Sequence, residues 1–294
     1  MLWWIKNGVI TALTRIRYVL DMVDFGHTLF GLPFAYLGAF LAVKGMPAVS
    51  QLVWITLAMV GARTAALCLN RLIDLEIDRA NPRTSNWVLP SGKLALNKVW
   101  VMVLLSLALL FYSAAELNPL CFKLAPLAVV ILWVYSYTKR FTWWCHLILG
   151  LAIGIGPIGA WFAISGTFDL QPLVLGLAVA CWIAGFDAMY ACQDIEFDRE
   201  HQLYSIPARF GERGALAFSA GFHACTVVFL VMAGIILELG FFYYAGVLLA
   251  GMVLIYEHLI VKPGDLSRVN FASFRINRYV GILIFIATLM DIFL

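Results

Sequence analysis

Nine stretches of this sequence run for a dozen residues or more without a charged side chain: 25–43, 45–62, 99–115, 124–138, 141–168, 170–186, 214–237, 239–256 and 279–290. An α-helix crosses the hydrocarbon core of a bilayer in about 20 predominantly apolar residues. Flanking Lys and Arg side chains can snorkel to the headgroups, so most of these runs suffice once a residue or two is added at each end. The shortest, 124–138 and 279–290, are the weakest spans. Charged residues make up 13% of the chain, about half the share of a soluble domain, and that excludes a water-soluble fold. The reading is an all-α polytopic membrane protein with nine transmembrane helices.

The distribution of basic residues sets the orientation. With the N-terminal side called "in", 17 of the 20 Lys and Arg residues fall on that side, Lys44 and Lys123 fall opposite, and Arg63 lies inside the second span. The positive-inside rule places the crowded side in the cytoplasm. Lys6, Arg15 and Arg17 interrupt any early apolar run, so no cleavable signal is expected. Trp3, Trp4, Ile10, Leu13 and Ile16 suggest an amphipathic segment over 1–20 lying on the membrane, ahead of a single domain over 21–294. The six cysteines form no CxxC pair, which argues against disulfides and zinc.

Two hexapeptides break the apolar pattern: Asp74-Leu75-Glu76-Ile77-Asp78-Arg79 and Asp194-Ile195-Glu196-Phe197-Asp198-Arg199. They lie 120 residues apart, and each precedes a Pro-containing segment ending in Gly92 or Gly211. This reads as an internal duplication, with repeat motifs at 70–92 and 187–211. Four spans separate them, so both acidic ends emerge on the cytoplasmic face as parallel repeats around a central cavity. On an unbroken helix Arg63, Asn70, Asp74 and Asp78 share a face, as do Asp187, Tyr190, Asp194 and Asp198, whereas Glu76 and Glu196 point elsewhere. A carboxylate in the hydrocarbon costs roughly 2.5–3.5 kcal/mol even on mild scales, so several on facing helices require a polar cavity and a counter-charge. Carboxylates with an amide and no Cys or His select a hard cation such as Mg²⁺, which binds through one or two carboxylates plus a substrate phosphate. Arg83, Lys93, Lys139, Arg140 and Arg209 lie on the same side and suit phosphate oxygens. Together these features suggest a lipid-linked diphosphate.

The same residues resemble the UbiA-type intramembrane prenyltransferases, whose signatures have the forms NxxxDxxxD and DxxxD, the second preceded by Asp and Tyr. Here stand Asn70-Asp74-Asp78 and Asp187-Tyr190-Asp194-Asp198, with Arg83-Thr84, Leu89-Pro90-Ser91-Gly92 and Tyr135-Ser136-Tyr137-Thr138-Lys139-Arg140 between them. His27-Thr28 with Leu32-Pro33-Phe34, Asn81-Pro82-Arg83-Thr84 and Pro157-Ile158-Gly159-Ala160-Trp161 look most like bacterial 4-hydroxybenzoate polyprenyltransferases and their futalosine-route menaquinone relatives. Many relatives carry a basic or acidic residue where Trp87-Val88 stand here. The resemblance implies transfer of a polyprenyl group from polyprenyl diphosphate to a small aromatic acceptor, 4-hydroxybenzoate-like or naphthoate-type, at a bacterial inner membrane with the active site facing the cytoplasm.

On this reading Mg²⁺ is held by Asn70, Asp74, Asp78, Asp194 and Asp198. Arg63, Arg83, Lys93, Arg209 and His27 bind substrate, Lys139 and Arg140 offset leaving-group charge, and Asp187 and Tyr190 orient the acceptor or take the ring proton. Loops 79–93 and 199–213 act as lids. Gly154-Ile155-Gly156-Pro157-Ile158-Gly159 matches GxGxxG but follows no strand, so close helix packing or a Pro kink is expected rather than a nucleotide site, and no nucleic-acid partner is expected. His146, His223 and His258 show no ligand spacing and read as ordinary buried or interfacial residues. The rival from another class is an ion-coupled secondary transporter, whose carboxylates would lie near mid-bilayer rather than at helix ends.

Overall fold

The computed structural model describes residues 17–22 and 25–294, with side chains from Gly31 onward in the second stretch. The expected amphipathic segment therefore lies largely outside the described residues, as does the side chain of His27. The long helices are α1 (Phe25–Val43), α2 (Val49–Ile73), α4 (Leu96–Leu117), α5 (Pro119–Val134), α6 (Cys145–Ser165), α7 (Gln171–Tyr190), α9 (Ile206–Ile236), α10 (Phe241–Ile260) and α11 (Arg278–Phe293). Two six-residue helices, α3 (Leu75–Ala80) and α8 (Ile195–Glu200), follow α2 and α7. A π-helical turn over Ala272–Ile276 leads into α11.

Eight helical segments among the described residues are long and apolar enough to cross a membrane. The weak run at 124–138 is extended into Pro119–Arg140, and the C-terminal run into Val269–Phe293. The ninth expected span coincides with α1, whose described apolar part is Gly31–Val43. Local sequence marks the helix starts: Asn118 accepts the Cys121 backbone N–H ahead of Pro119, and Ser205 does the same for Ala208 ahead of Pro207. Outward faces carry large apolar side chains, with Leu104 on α4 and Leu248 on α10 about two-thirds exposed. Such faces belong in hydrocarbon, and the chain is an integral membrane protein.

The most buried helix is α7, which packs between α6 and α9, while α1 lies on α6 and α2 on α4. Gly150 and Gly154 make the α6–α7 contact possible, because a Cβ at either would collide with the carbonyl of Ala180 or Gly176. The first glycine of the GxGxxG match thus serves packing, of the small-residue kind that brings membrane helices close, while Gly156 to Gly159 line a cavity. Trp182, fully buried, anchors the core with Phe34, Leu37, Leu175, Leu230 and Ile284. Its Nε1–H donates to Asn277 Oδ1, which ties α7 to the turn before α11.

Candidate active site

Both acidic hexapeptides begin at a break in a long helix. Asp74 (φ −93°, ψ 5°) ends α2 and Asp194 (φ −109°, ψ 10°) closes the 3₁₀ turn after α7; each is followed by a six-residue helix. The single unbroken face expected for Asn70, Asp74 and Asp78 is therefore bent at Asp74. The bend keeps the i→i−4 bonds from Asp74 N–H to Asn70 O (2.9 Å) and from Asp78 N–H to Asp74 O (2.7 Å), so the three side chains still turn the same way. They enter one cavity of about 730 Å³ together with Asp187, Tyr190, Asp194 and Asp198. Its deeper walls are apolar, with Phe34, Met59, Leu124, Ile153, Trp182 and Phe186 among them.

At the mouth, acids and bases interlock. Asp74, 3% exposed, is ion-paired with Lys139 Nζ at 2.8 Å on Oδ2 and with Arg140 at 3.0 Å on Oδ1, and Asn70 Nδ2 donates to Oδ2 at 3.0 Å. Arg83 donates from Nε (2.9 Å) and Nη2 (2.5 Å) to the two oxygens of Asp194, and from Nη1 to the Tyr190 hydroxyl. Asn81 adds a third donor to Asp194. The loop after the first motif therefore closes on the second motif. Asp198 accepts from Ser205 Oγ at 2.7 Å. Asp78 lies 3.7 Å from Arg71, and its Oδ2 is buried without a hydrogen-bond donor. Burial pushes the Asp78 carboxyl above the usual range and outweighs the pull of Arg71 and Lys139 in the other direction. Burial opposes the charge on Arg83, but its bonds to Asp194 overcome this and hold the guanidinium more firmly protonated.

Other expected site residues are placed differently. Arg63 and Lys139 line the cavity, as does Arg83. Arg140 is a strut rather than a wall: it donates to the carbonyls of Ser136 and Ile73 and so fixes the end of α2 next to Asp74. Lys93 is exposed and reaches only the Asn86 carbonyl, and Arg209 lies outside the cavity against Trp143 and Phe210. Both were expected to bind substrate, and neither lines the cavity: Lys93 lies in the loop before α4 and Arg209 on the first turn of α9. The second loop is also shorter than expected, since α8 runs to Glu200 and α9 starts at Ile206, leaving five residues between. Tyr204 N–H in that link donates to the Lys139 carbonyl at 2.7 Å and fixes the lysine's backbone.

The structure adds residues that sequence reasoning missed. His146 is buried, but it is also part of the cavity wall. Its Nε2 accepts the Ile206 backbone N–H at 3.3 Å, so the ring proton sits on Nδ1 and is donated to Asp187 Oδ2 at 2.7 Å. Arg71 and Trp87 also line the mouth. Arg71 was adjacent to Asn70 in the motif, which was a signal of sorts; nothing in the sequence paired His146 with Asp187. His223 and His258 pair with each other at 3.0 Å outside the cavity.

Among the described residues no three carboxylate, imidazole or thiol groups cluster tightly enough to cage a metal ion. The donor set nevertheless fits Mg²⁺, an ion that needs only one or two carboxylates when a substrate phosphate completes its shell, and Asp78 Oδ2 has an unused buried oxygen.

The site is an acid–base mouth over an apolar shaft inside a helical membrane bundle. The chain belongs to the UbiA prenyltransferase family, which matches residues 31–279. It is 30% identical over 85% of its length to the 4-hydroxybenzoate octaprenyltransferase of Francisella tularensis subsp. novicida (strain U112), covering 88% of that protein. A counterpart of the same name from Pseudomonas aeruginosa (strain UCBPP-PA14) is 27% identical over 85% of the chain and 84% of the relative. The fold is similar to the apo structure of a UbiA homolog from Aeropyrum pernix K1, at TM-score 0.83 and 36% identity over 90% of this chain and 98% of that one. It is also similar in fold, at TM-score 0.63 and 22% identity, to a UbiA homolog from Archaeoglobus fulgidus bound to GPP and Mg²⁺, over 91% and 99% of the two chains.

Proposed function

We propose that the protein transfers a polyprenyl group from polyprenyl diphosphate to a 4-hydroxybenzoate-like aromatic acceptor in quinone biosynthesis. One observation carries this reading: two acidic helix breaks meet basic residues at the mouth of a shaft walled by apolar side chains. That combination suits a ligand with an anionic head and a hydrocarbon tail. The names of the relatives and the ligands of the Archaeoglobus fulgidus homolog support the same substrate pair.

Asn70, Asp74 and Asp78 on one side and Asp194 and Asp198 on the other would hold Mg²⁺. When bound there, the ion supplies Lewis-acid neutralisation of the diphosphate. Lys139 and Arg83 are among the cations that line the cavity, and each must turn from its aspartate toward phosphate oxygens. The allylic C–O bond breaks with its electron pair on the diphosphate, and the fixed positive charge of Lys139 stabilises that pair as it develops. The apolar walls keep water from the nascent allylic cation. The electron-rich ring carbon then bonds to the allylic carbon, and the ring proton passes to Asp187, which His146 holds from behind. Tyr190 and Arg63 lie on the cavity wall, where they can orient the acceptor.

The wider arrangement belongs to the same proposal: α1 is the ninth membrane crossing, the chain from residue 21 is one domain of two parallel repeats, and the mouth faces the cytoplasm of a bacterial inner membrane. The test is to incubate purified protein with a labelled polyprenyl diphosphate, Mg²⁺ and a panel of aromatic acids that includes 4-hydroxybenzoate and a naphthoate. A prenylated 4-hydroxybenzoate is expected. Conjugation of the naphthoate alone would move the protein to a menaquinone route, and diphosphate release without any conjugate would refute the transferase reading.

A further inference from the structure

We infer that Trp87 is a positioning residue that holds Arg71 and Arg83 as movable anion clamps and so sets the grip of the mouth on the diphosphate of the prenyl donor. The inference rests on the function proposed above. The indole lies on the cavity wall between the two acidic motifs. The Arg71 guanidinium carbon sits 3.8 Å from its ring centroid and that of Arg83 sits 5.5 Å away. Both are within the distance at which the negative face of an indole attracts a cation.

The two arginines come from different parts of the chain and serve different motifs. Arg71, near the end of α2, reaches Asp78 at 3.7 Å. Arg83, in the following loop, grips Asp194 from across the cavity. Arg83 thereby occupies both oxygens of Asp194, whereas Arg71 stands beside Asp78 Oδ2 without a hydrogen bond to that oxygen. Loading a metal diphosphate requires the Arg83 guanidinium to leave Asp194, and both guanidinium groups then take phosphate oxygens. A cation turning through a low-dielectric mouth needs a second partner that stays in place, and the indole supplies one without competing for hydrogen bonds.

Trp87 is itself held still. Its N–H donates to the Thr84 carbonyl at 2.9 Å, while the Ser91 N–H (3.0 Å) and hydroxyl (2.6 Å) both donate to the Trp87 carbonyl. Thr84 in turn donates its hydroxyl to the Asp78 carbonyl. The backbone that carries this indole ledge is thus fastened to the first acidic motif, and the two guanidinium groups sit against its ring. Since those groups touch the donor's head and not the acceptor, the effect of the ledge falls on donor affinity.

The test combines kinetics with a binding readout. Trp87→Leu should raise KM for the prenyl diphosphate about tenfold, the equivalent of about 1.4 kcal/mol, with kcat within about twofold and the acceptor KM unmoved. Trp87→Phe, which keeps a π-face, should recover most of the loss. Separately, inorganic pyrophosphate with Mg²⁺ should change the tryptophan emission of the wild-type protein, and most of that change should vanish in Trp87→Phe. An unaltered donor KM in Trp87→Leu, or an equal rise in both KM values, would overturn the inference. If Trp87→Leu does not fold, an emission change that persists in full in Trp87→Phe overturns it as well. A wild-type protein that forms no prenylated product defeats the proposed function instead, and the pyrophosphate titration still decides the role of Trp87.

Discussion

Lys139 and Arg140 are neighbours in sequence and touch the same carboxylate, yet the structure predicts different consequences for removing them. Lys139 Nζ is 2.8 Å from Asp74, whereas Arg140 adds to its own contact with Asp74 the carbonyls of Ser136 and Ile73 at 3.0 and 2.8 Å. In Lys139→Ala, Asp74 keeps Arg140 and Asn70, so the buried carboxylate is not stranded. Both basic side chains are about 30% exposed, and a partly solvated pair of this kind is worth about 1 kcal/mol or less in stability. Catalysis should suffer far more. Two unit charges 4 Å apart at an effective dielectric of about 20 interact by about 4 kcal/mol. Losing one preorganised stabiliser of a developing anion costs at least about 100-fold in kcat. In Arg140→Ala the Ile73 carbonyl at the α2 break and the Ser136 carbonyl in the turn after α5 lose a charged donor, each contact being worth about 1.5–3 kcal/mol. Thermal unfolding in detergent should therefore show the larger loss for Arg140→Ala, and steady-state kcat on folded protein the larger loss for Lys139→Ala. Lys262→Ala, an exposed residue in the turn after α10, should be close to wild type in both. If Lys139→Ala and Lys262→Ala lose activity to the same small extent, Lys139 is only a membrane-surface anchor and the reasoning fails.

Three further outcomes are expected. If the acidic pairs form two halves of one site, Asp74→Asn and Asp194→Asn each abolish turnover in folded protein and the double variant is hardly worse than either, whereas additive losses would mean two independent sites. Gly150→Val should destabilise the bundle by about 1–3 kcal/mol, because its side chain meets the Ala180 backbone and α7 has no space to retreat; an unchanged unfolding temperature would refute the close α6–α7 contact. Accessibility tags at Arg83 and Lys139 should report the cytoplasm and one at Asp169 the opposite side, and a single discordant tag among them would break the orientation.

The helical architecture was legible because lipid imposes a crude and local demand. A charge-free run of sufficient length has to be a helix, and the runs at 45–62, 99–115, 141–168, 170–186, 214–237 and 239–256 each fall on an apolar helix of the bundle. The acidic motifs were legible for a related reason: carboxylates beside hydrocarbon are costly, and two matched pairs of them required a shared cavity, which the structure contains. Roles that depend on distance between helices were not legible. Lys93 and Arg209 carry the same charge as Arg83, and only the tertiary course of the chain turns Arg83 inward and leaves the loop residue Lys93 and the α9 residue Arg209 outside the cavity. His146 meets Asp187 across 41 residues because Gly150 and Gly154 let α6 lie close on α7, and Trp87 meets Arg71 and Arg83 because the loop folds back over the end of α2. Transfer from water to lipid is a property of each segment alone, so the chain's own order of residues decides it. Pairing of charges, rings and imidazoles is a property of packing, and it exists only once the helices have met.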